Sequence, residues 1–303
     1  MTLYDQISSN KRRTWAFVLG FALIIVALGY AIGLATDMGF GPLAIAGFIA
    51  IFGGIGGYYY SDKIILTISG TTEIKPESNK ELYRLVENLC IGTGLPTPKI
   101  YIIDDTAPNA FATGRDPQHA VIAVTSGLLT KLERAELEGV LAHELSHIQN
   151  YDIRLMAVVS ILVGTVMILS DLFLRWTWWG GGRKRSNSKN SGNIEIIIFV
   201  VAIVLAILAP IIAQIIKLAI SRKREFLADA SAGLITRYPE GLARALEKIS
   251  KDTEPLEVAN RGTAHLYIIN PLKDLKGSAV GWFSGIFDTH PPIEERVKAL
   301  RAM

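Results

Sequence analysis

Four long apolar runs set the strongest constraint on how this chain of 303 residues can fold. They cover residues 15–35, 42–60, 155–174 and 196–216. Each is close to the ~20 residues that a helix needs to cross the hydrocarbon core of a bilayer. A single run could be a buried helix of a soluble protein. Four of them, in a chain that is 50% hydrophobic, predict a mainly α-helical membrane protein with four hydrophobic spans.

Basic residues predict how these spans are oriented. Lys11, Arg12 and Arg13 precede the first run, whereas residues 36–40 between the first two runs include no basic residue. Because basic loops stay in the cytoplasm, the N-terminus and the chain after Lys63 are expected on that side. The loop after the third run is also basic, so residues 154–219 either form a second spanning hairpin or are partly re-entrant. Both arrangements leave the flanking segments in the cytoplasm.

A motif with the chemistry of a metal site lies between the second and third runs. In the stretch His143-Glu144-Leu145-Ser146-His147 the histidines are four residues apart, so on a helix they share one face and could bind one ion. Glu144 would lie beside that ion without binding it. This is the HExxH arrangement of zinc peptidases, in which the glutamate is the general base. The alternative is that both histidines fill a buried polar pocket.

The neighbouring residues support a helix for this motif. Thr130 and Glu133 have the spacing of a capping box, with Thr130 as the N-cap. Apolar residues then recur at helical spacing and predict an amphipathic helix: Leu137, Val140, Leu141 and Ile148.

A catalytic zinc usually has three protein ligands and one open position. The strongest candidate for the third ligand is Glu225, because Asp229 lies four residues further on and would share its helix face. Asp229 would then accept the free ring N–H of a ligand histidine and orient that ring. Taken without the first motif, these residues could instead form an exposed helix face on which Arg222 and Arg224 pair with the carboxylates.

Together these motifs resemble the HtpX-type integral-membrane zinc endopeptidases, which are relatives of the prenyl-protein (CaaX) proteases. The resemblance is carried by segments in the same order along the chain: residues 108–114, 143–152, 224–229 and 289–292 with 295–297. It implies one Zn²⁺ per chain, bound by His143, His147 and Glu225, with Glu144 as the base.

The resemblance also implies a substrate site. Asn109, Ala110, Phe111 and Ala112 match an edge strand on which the peptide substrate lies in that family. An edge strand beside the metal would bind an extended peptide through main-chain hydrogen bonds, which suits a protease that tolerates many side chains. The alternative is an ordinary strand whose Phe111 fills the core, and both can hold.

Three further histidines need an assignment. In relatives the histidine that matches His290 is near the catalytic centre, so His290 is a candidate for stabilising the oxyanion of the tetrahedral intermediate. The alternative is an exposed or structural histidine in a turn. His119 looks like a strand end and His265 has no partner at a meaningful spacing, so neither is assigned a role.

The remaining sequence predicts a small α+β domain. Helices are expected at residues 79–92, 239–251 and 293–301, and strands at residues 98–103, 109–113 and 119–125. Residues 252–276 are polar and irregular and are candidates for covering the cleft. The single cysteine, Cys90, excludes an intrachain disulfide and lies among apolar residues at helical spacing, so we predict that it is a core residue.

These observations predict four consecutive segments. Residues 1–62 form a transmembrane hairpin, and residues 63–153 form the first part of a cytoplasmic, zincin-like α+β metallopeptidase domain with a small sheet. Residues 154–219 form the second hairpin, and residues 220–303 complete the domain and supply the third zinc ligand.

The function that follows is that of a zinc metalloendopeptidase, multi-pass in the cell membrane, with its active site facing the cytoplasm. By resemblance, its substrates would be misfolded or damaged membrane proteins in quality control. Two alternatives remain open: a CaaX-type protease that processes prenylated proteins, and a non-catalytic membrane adaptor with a structural zinc. The expected partners are polypeptides and the lipid bilayer; the net charge of +3 gives no reason to expect nucleic acid. The oligomeric state stays open.

Overall fold

The computed structural model describes residues 3–36, 39–180, 222–259, 262–271 and 290–303. Within these ranges the elements follow one another as α1 (Leu3–Thr36), α2 (Gly41–Ile68), β1 (Thr71–Glu73), α3 (Lys80–Thr93), β2 (Lys99–Ile103), β3 (Ala110–Gly114), β4 (Ala120–Thr125), α4 (Ser126–Lys131), α5 (Arg134–Gln149), α6 (Asp152–Gly180), α7 (Arg222–Thr236), α8 (Pro239–Lys251) and α9 (Ile293–Arg301). Two short 3₁₀ turns cover Pro117–His119 and Ala264–Leu266. The fourth apolar run, residues 196–216, lies outside the described residues.

The first two apolar runs form a pair of long helices. Two candidate membrane spans stand out by length and composition, Ile7–Tyr30 in α1 and Gly41–Ile68, which is α2. Most of their apolar side chains are exposed, as expected of surfaces that face lipid. The helices approach closely at Gly29, where an added Cβ would lie 2.3 Å from the Cβ of Ala46. The absence of a side chain there lets the two backbones meet.

The third apolar run lies in α6, which packs against the first two helices. Val158, Leu162 and Val166 of α6 are buried in one apolar cluster with residues of α1 and α2. The axes of Arg134–Gln149 and Asp152–Ile168 meet at a bend of 82°, and only together are these two helices a candidate membrane segment, either a broken span or a re-entrant one. The described residues therefore contain two span candidates, or three if the bent pair counts as one.

A small mixed sheet forms the base of the remaining domain. Its strand order is β1-β2-β4-β3, with β2 and β4 parallel and the two outer pairs antiparallel. The three strands expected from the sequence are therefore found, each displaced by no more than one residue. β3 lies at one edge, so its outer backbone groups point away from the sheet.

α5 is the central helix of this domain, buried from residue 139 to residue 148. It contacts α3, α7, α8 and β3, and its apolar residues join a core that also contains Val86, Ile122 and Leu246. The predicted apolar stripe is therefore present, but from residue 139 to residue 148 neighbours cover the other faces of the helix as well, while its first turns remain partly exposed. Cys90 belongs to the same core, and burial raises the pKa of its thiol to about 11, which keeps it unreactive.

The start of α5 differs from the capping box expected at Thr130 and Glu133. Thr130 lies inside the preceding short helix α4, whose N-cap Thr125 accepts the backbone N–H of Leu128 at 3.1 Å. Leu132 is extended and separates the two helices. Glu133 is the N-cap of α5, and the side chain of Glu136 accepts its backbone N–H at 2.8 Å. The box is thus displaced by three residues, because the chain forms an additional turn of helix first.

We predict that Gly139→Ala destabilises the protein, although alanine is ordinarily favoured over glycine in a helix by about 1 kcal/mol. A Cβ at residue 139 would lie 2.7 Å from the backbone nitrogen of Leu242 in α8. α5 and α8 would have to separate, at a cost of about 1–3 kcal/mol, measured by thermal unfolding in detergent.

Gly92→Ala in α3 is the matched control for this substitution. A Cβ at residue 92 would meet no atom within 4 Å. This variant should unfold at or above the wild-type temperature. If both variants behaved alike, the close approach of α5 and α8 would be contradicted.

Candidate metal centre

The three predicted metal ligands lie together in the buried core of the domain. α5 presents His143 and His147 on one face, and their Nε2 atoms are 3.1 Å apart. Glu225, in the first turn of α7, places its carboxylate oxygens 3.8 Å from Nε2 of His143 and 3.6 Å from Nε2 of His147. All three side chains are buried, and their ligand atoms lie within 4.8 Å of one another.

The chemistry of this donor set fits a divalent cation such as zinc. Ligand atoms at about 2.1 Å from a tetrahedral Zn²⁺ lie about 3.4 Å apart, close to the observed separations. Two neutral imidazoles and one carboxylate are a common catalytic combination, and they leave one coordination position for water.

Each histidine has a buried carboxylate behind it. Nδ1 of His143 lies 3.0 Å from Asp229, and Nδ1 of His147 lies 3.0 Å from Asp152. A carboxylate at Nδ1 keeps the proton there and leaves Nε2 free to bind a metal. The sequence predicted Asp229 as the acceptor for one histidine. It did not assign a role to Asp152, whose only signal was its place in a segment that resembles the family.

His290 lies at the metal centre, buried, and is not exposed in a turn. Its Nδ1 is 2.9 Å from a carboxylate oxygen of Glu225, while its Nε2 has no hydrogen-bond partner among the described residues. A neutral ring that donates Nδ1–H to Glu225 presents Nε2 as an acceptor. Stabilising an oxyanion through Nε2 therefore requires a ring that carries both protons.

The charges in this pocket are compensated by a buried arginine from the last helix. Arg296 forms a bidentate pair with Asp229, at 2.6 Å and 2.8 Å, and it is fully buried. Burial by itself raises the pKa of Asp229, but the guanidinium and His143 outweigh burial and lower it to about 2. The arginines considered from the sequence, Arg222 and Arg224, are not the partners of Asp229. The sequence contained no signal for Arg296 beyond its place in residues 295–297.

The ligands themselves have shifted pKa values. Burial raises the pKa of Glu225, but His290, His147 and Arg296 outweigh it and hold the value well below the ordinary one. Burial lowers the pKa of His143. For His147, burial acts in the same direction, but the contacts with Asp152 and Glu225 outweigh it and raise the pKa to about 9. A metal ion bound to Nε2 of His147 would replace the proton on that atom and leave the ring neutral.

Glu144 has the surroundings expected of a general base. It is buried beside the ligands, and burial raises the pKa of its carboxyl to about 7, whereas His147 and the backbone of Ala112 act to lower it. A pKa near neutrality lets one carboxyl group both take up and release a proton. The backbone of Ala112 in β3 acts on the Glu144 carboxyl, so the sheet edge lies next to the metal centre.

The segment expected to bind substrate is an edge strand, but part of its edge is covered. The carbonyl of Ala110 accepts the backbone N–H of Ile268 at 3.0 Å, and the side chain of Asn109 donates to the carbonyl of Ile269 at 3.0 Å. Phe111 is buried and packs edge-on against Tyr267, so it fills the core as the alternative held. Ala112 faces the same edge, beside Glu144, because backbone groups alternate along a strand.

The two histidines without an assigned role lie away from the ligands. His119 ends the 3₁₀ turn Pro117–His119, and its Nδ1 is 2.6 Å from Asp116. His265 is buried, and its Nε2 is 3.1 Å from the hydroxyl of Ser160 in α6.

Known proteins similar to this chain agree with the geometry. The model of the peptidase family M48 matches residues 76–303. The protease HtpX homolog of Dictyoglomus thermophilum is 46% identical over 302 residues, covering 100% of this chain and 95% of that protein. The protease HtpX homolog of Listeria monocytogenes is 42% identical, covering 99% of this chain and 100% of that protein.

A solved structure is also similar. The crystal structure of S. mikatae Ste24p matches 98% of this chain and 67% of that protein, with a TM-score of 0.51 and 22% sequence identity. At this level of identity the likeness concerns the fold alone.

We predict that Arg296→Leu destabilises the protein by about 3–5 kcal/mol, because Asp229 would be left as a buried, unpaired charge. Thermal unfolding in detergent measures the effect. Arg301→Leu is the control on the same helix, since Arg301 pairs with Glu240 and Glu247 at the surface. It should change the unfolding temperature little. Equal losses from the two substitutions would show that the Arg296–Asp229 pair has no special role.

Proposed function

This chain belongs to peptidase family M48, as its motifs predicted, and from that premise we propose that it is a zinc-dependent endopeptidase of the cell membrane that degrades misfolded or damaged membrane proteins. Membership makes it a membrane metalloprotease that acts on polypeptides. The zinc, the quality-control role, the cell membrane and the orientation of the active site belong to the proposal.

The observation that supports the catalytic proposal best is the buried Glu144 next to the triangle of His143, His147 and Glu225. A zinc ion bound there would polarise the peptide carbonyl and increase the acidity of a water molecule. Glu144 takes the proton from the attacking water on one carboxylate oxygen. It then delivers that proton to the nitrogen of the leaving amine.

Other side chains orient the candidate metal ligands. Asp229 and Asp152 keep the ligand imidazoles oriented, and His290 orients Glu225 through Nδ1. A doubly protonated His290 would also donate from Nε2 to the oxyanion of the tetrahedral intermediate. Burial of the pocket excludes bulk water and strengthens each of these interactions.

The substrate would bind as an extended strand along β3. The outward backbone groups at Ala112 and Gly114 continue the edge beyond Ala110, and Ala112 lies next to Glu144. A peptide paired there would lie beside the general base and would be recognised by its main chain, which suits a protease for many substrates. Pairing at Ala110 would require displacement of Ile268.

The membrane arrangement in the proposal keeps four spans and the four segments 1–62, 63–153, 154–219 and 220–303. The basic residues ahead of the first apolar run, Lys11, Arg12 and Arg13, and Lys63 after the second support a cytoplasmic N-terminus and a cytoplasmic catalytic domain. His147 and Glu225 bind one ion, so an even number of crossings separates them. A spanning hairpin at residues 154–219 satisfies this condition, as does a re-entrant one.

Substitution of the proposed base is the decisive test. Glu144→Gln should retain zinc at about one ion per chain and lose casein cleavage by about 10²-fold or more, since it keeps the shape but cannot accept a proton. Detergent-purified wild type and variant are compared for bound zinc and for cleavage. Glu138→Gln, at a residue of the same helix that pairs with Arg134 at the surface, is the control and should cleave normally.

The same assay separates the alternatives. Cleavage by Glu144→Gln would remove the general-base assignment. Zinc in the wild type without cleavage of casein or of a prenylated peptide would favour an adaptor with a structural metal. Cleavage of the prenylated peptide alone would favour a CaaX-type protease.

A further inference from the structure

A side chain of the first membrane helix reaches the metal centre. Asn10 of α1 is buried, and its amide nitrogen donates to the carboxylate of Asp152 at 2.8 Å and to the carbonyl of Asn150 at 2.9 Å. Its amide oxygen accepts a hydrogen bond from Arg224 at 2.9 Å. One side chain therefore joins α1 to the end of α5, the start of α6 and the start of α7.

Asp152 is the residue through which this contact meets the ligands. The Oδ2 atom of Asp152 lies 3.0 Å from Nδ1 of His147. Its Oδ1 atom accepts the hydrogen bond from Asn10 and lies 3.5 Å from Nε of Arg224. One carboxylate oxygen thus faces the ligand histidine and the other is held in place from behind. The position of the second oxygen fixes the plane in which the first can accept the imidazole N–H.

The backbone around Asp152 is held by a second contact from α1. Tyr151, between α5 and α6, adopts the left-handed region with φ of 58°, which is unfavourable for a residue with a side chain. The ammonium of Lys11 lies 4.4 Å from the centre of the Tyr151 ring. Two neighbouring residues of α1, Asn10 and Lys11, therefore contact the bend between α5 and α6 at which Asp152 lies.

A buried side-chain amide without hydrogen-bond partners would lower the free energy of unfolding by several times RT. Asn10 has partners for both of its polar atoms, and all of them belong to the metal centre or to its supports. Apolar packing alone is enough to attach α1 to its neighbours, as the cluster that contains Val18, Phe21 and Ile25 shows.

We propose that Asn10 is a positioning residue of the metal centre, which orients His147 through Asp152, so that α1 is part of the active site as well as a membrane anchor. This inference rests on the proposed function, since it takes His147 to be a zinc ligand. It predicts that a change in α1 alters the affinity of the catalytic domain for metal.

The test measures zinc affinity without reference to activity. Full-length wild type, Asn10→Leu, Asp152→Asn and the double variant are purified in detergent, and zinc is titrated against a chromogenic chelator. Loss of a group that supports a ligand typically weakens metal binding about 10–100-fold. We expect about tenfold weaker binding for Asn10→Leu. The visible spectrum of the Co²⁺-loaded protein should change as well, because the orientation of the His147 ring changes.

The double variant shows whether Asn10 acts through Asp152. If it does, Asn10→Leu combined with Asp152→Asn should bind zinc no more weakly than Asp152→Asn alone, since coupled residues are not additive. Independent losses that multiply would overturn the inference.

Thr14→Val is the matched control. Thr14 is buried one turn further along α1, and its hydroxyl donates to the carbonyl of Asn10, away from Asp152 and Arg224. It should lower the unfolding temperature slightly and leave zinc affinity unchanged. If Asn10→Leu behaves in the same way, Asn10 is a structural tie and the inference is wrong.

Misfolding of the variant and failure of the proposed function can both be distinguished from failure of this inference. If Asn10→Leu does not fold, Asn10→Ser, which is too short to bridge Asp152 and Arg224, is measured with the same expectations. Wild-type protein that binds zinc but cleaves nothing overturns the catalytic proposal alone. Wild-type protein that binds no zinc overturns the proposed function and this inference with it.

Discussion

The compensation of buried negative charge is the constraint on which the rest of the structure depends. Glu144, Asp152, Glu225 and Asp229 are all buried around α5, and carboxylates in such a place are stable only when cations or hydrogen-bond donors face them. Arg296 and the His143 ring lie against Asp229, and Arg224 and the His147 ring lie against Asp152. The triangle of ligands next to Glu144 then has the charge and the spacing of a site for a divalent cation.

This requirement explains why distant parts of the chain meet at α5. Each supporting group comes from a different element: Asn10 from α1, Glu225 from α7 and Arg296 from α9. As a result α5 is buried on every side from residue 139 to residue 148, and its glycine at residue 139 permits the close approach of α8. The membrane helices and the domain are therefore one packed unit in the described residues, and the metal centre lies where they join.

The edge strand β3, on which we propose that substrate binds, lies next to that centre. Ala112 of β3 lies beside Glu144, while the backbone carbonyl of Ala110 accepts the N–H of Ile268. The stretch after residue 252, a candidate from the sequence for covering the cleft, does cover part of this edge. Recognition by main-chain hydrogen bonds leaves side-chain preference to the walls of the groove. That division would suit the proposed degradation of many different proteins.

The sequence by itself determined what depends on local spacing. Histidines four residues apart share a helix face wherever the helix lies, and apolar runs of ~20 residues are long enough for a membrane in any context. The candidate ligands, which do lie together, and two of the span candidates could therefore be predicted, and so could the strands and most helices. Asp229 could be predicted as a group behind one of the histidines, but tertiary structure decided the others. Asn10 and Arg296 are far along the chain from their partners, so no periodic pattern connects them, and Asp152 follows His147 by five residues across the bend between two helices, where helical spacing does not apply. Tertiary structure also decided that α5 is buried on every side from residue 139 to residue 148 and that its cap begins at Glu133, because these follow from neighbours that pack against the helix.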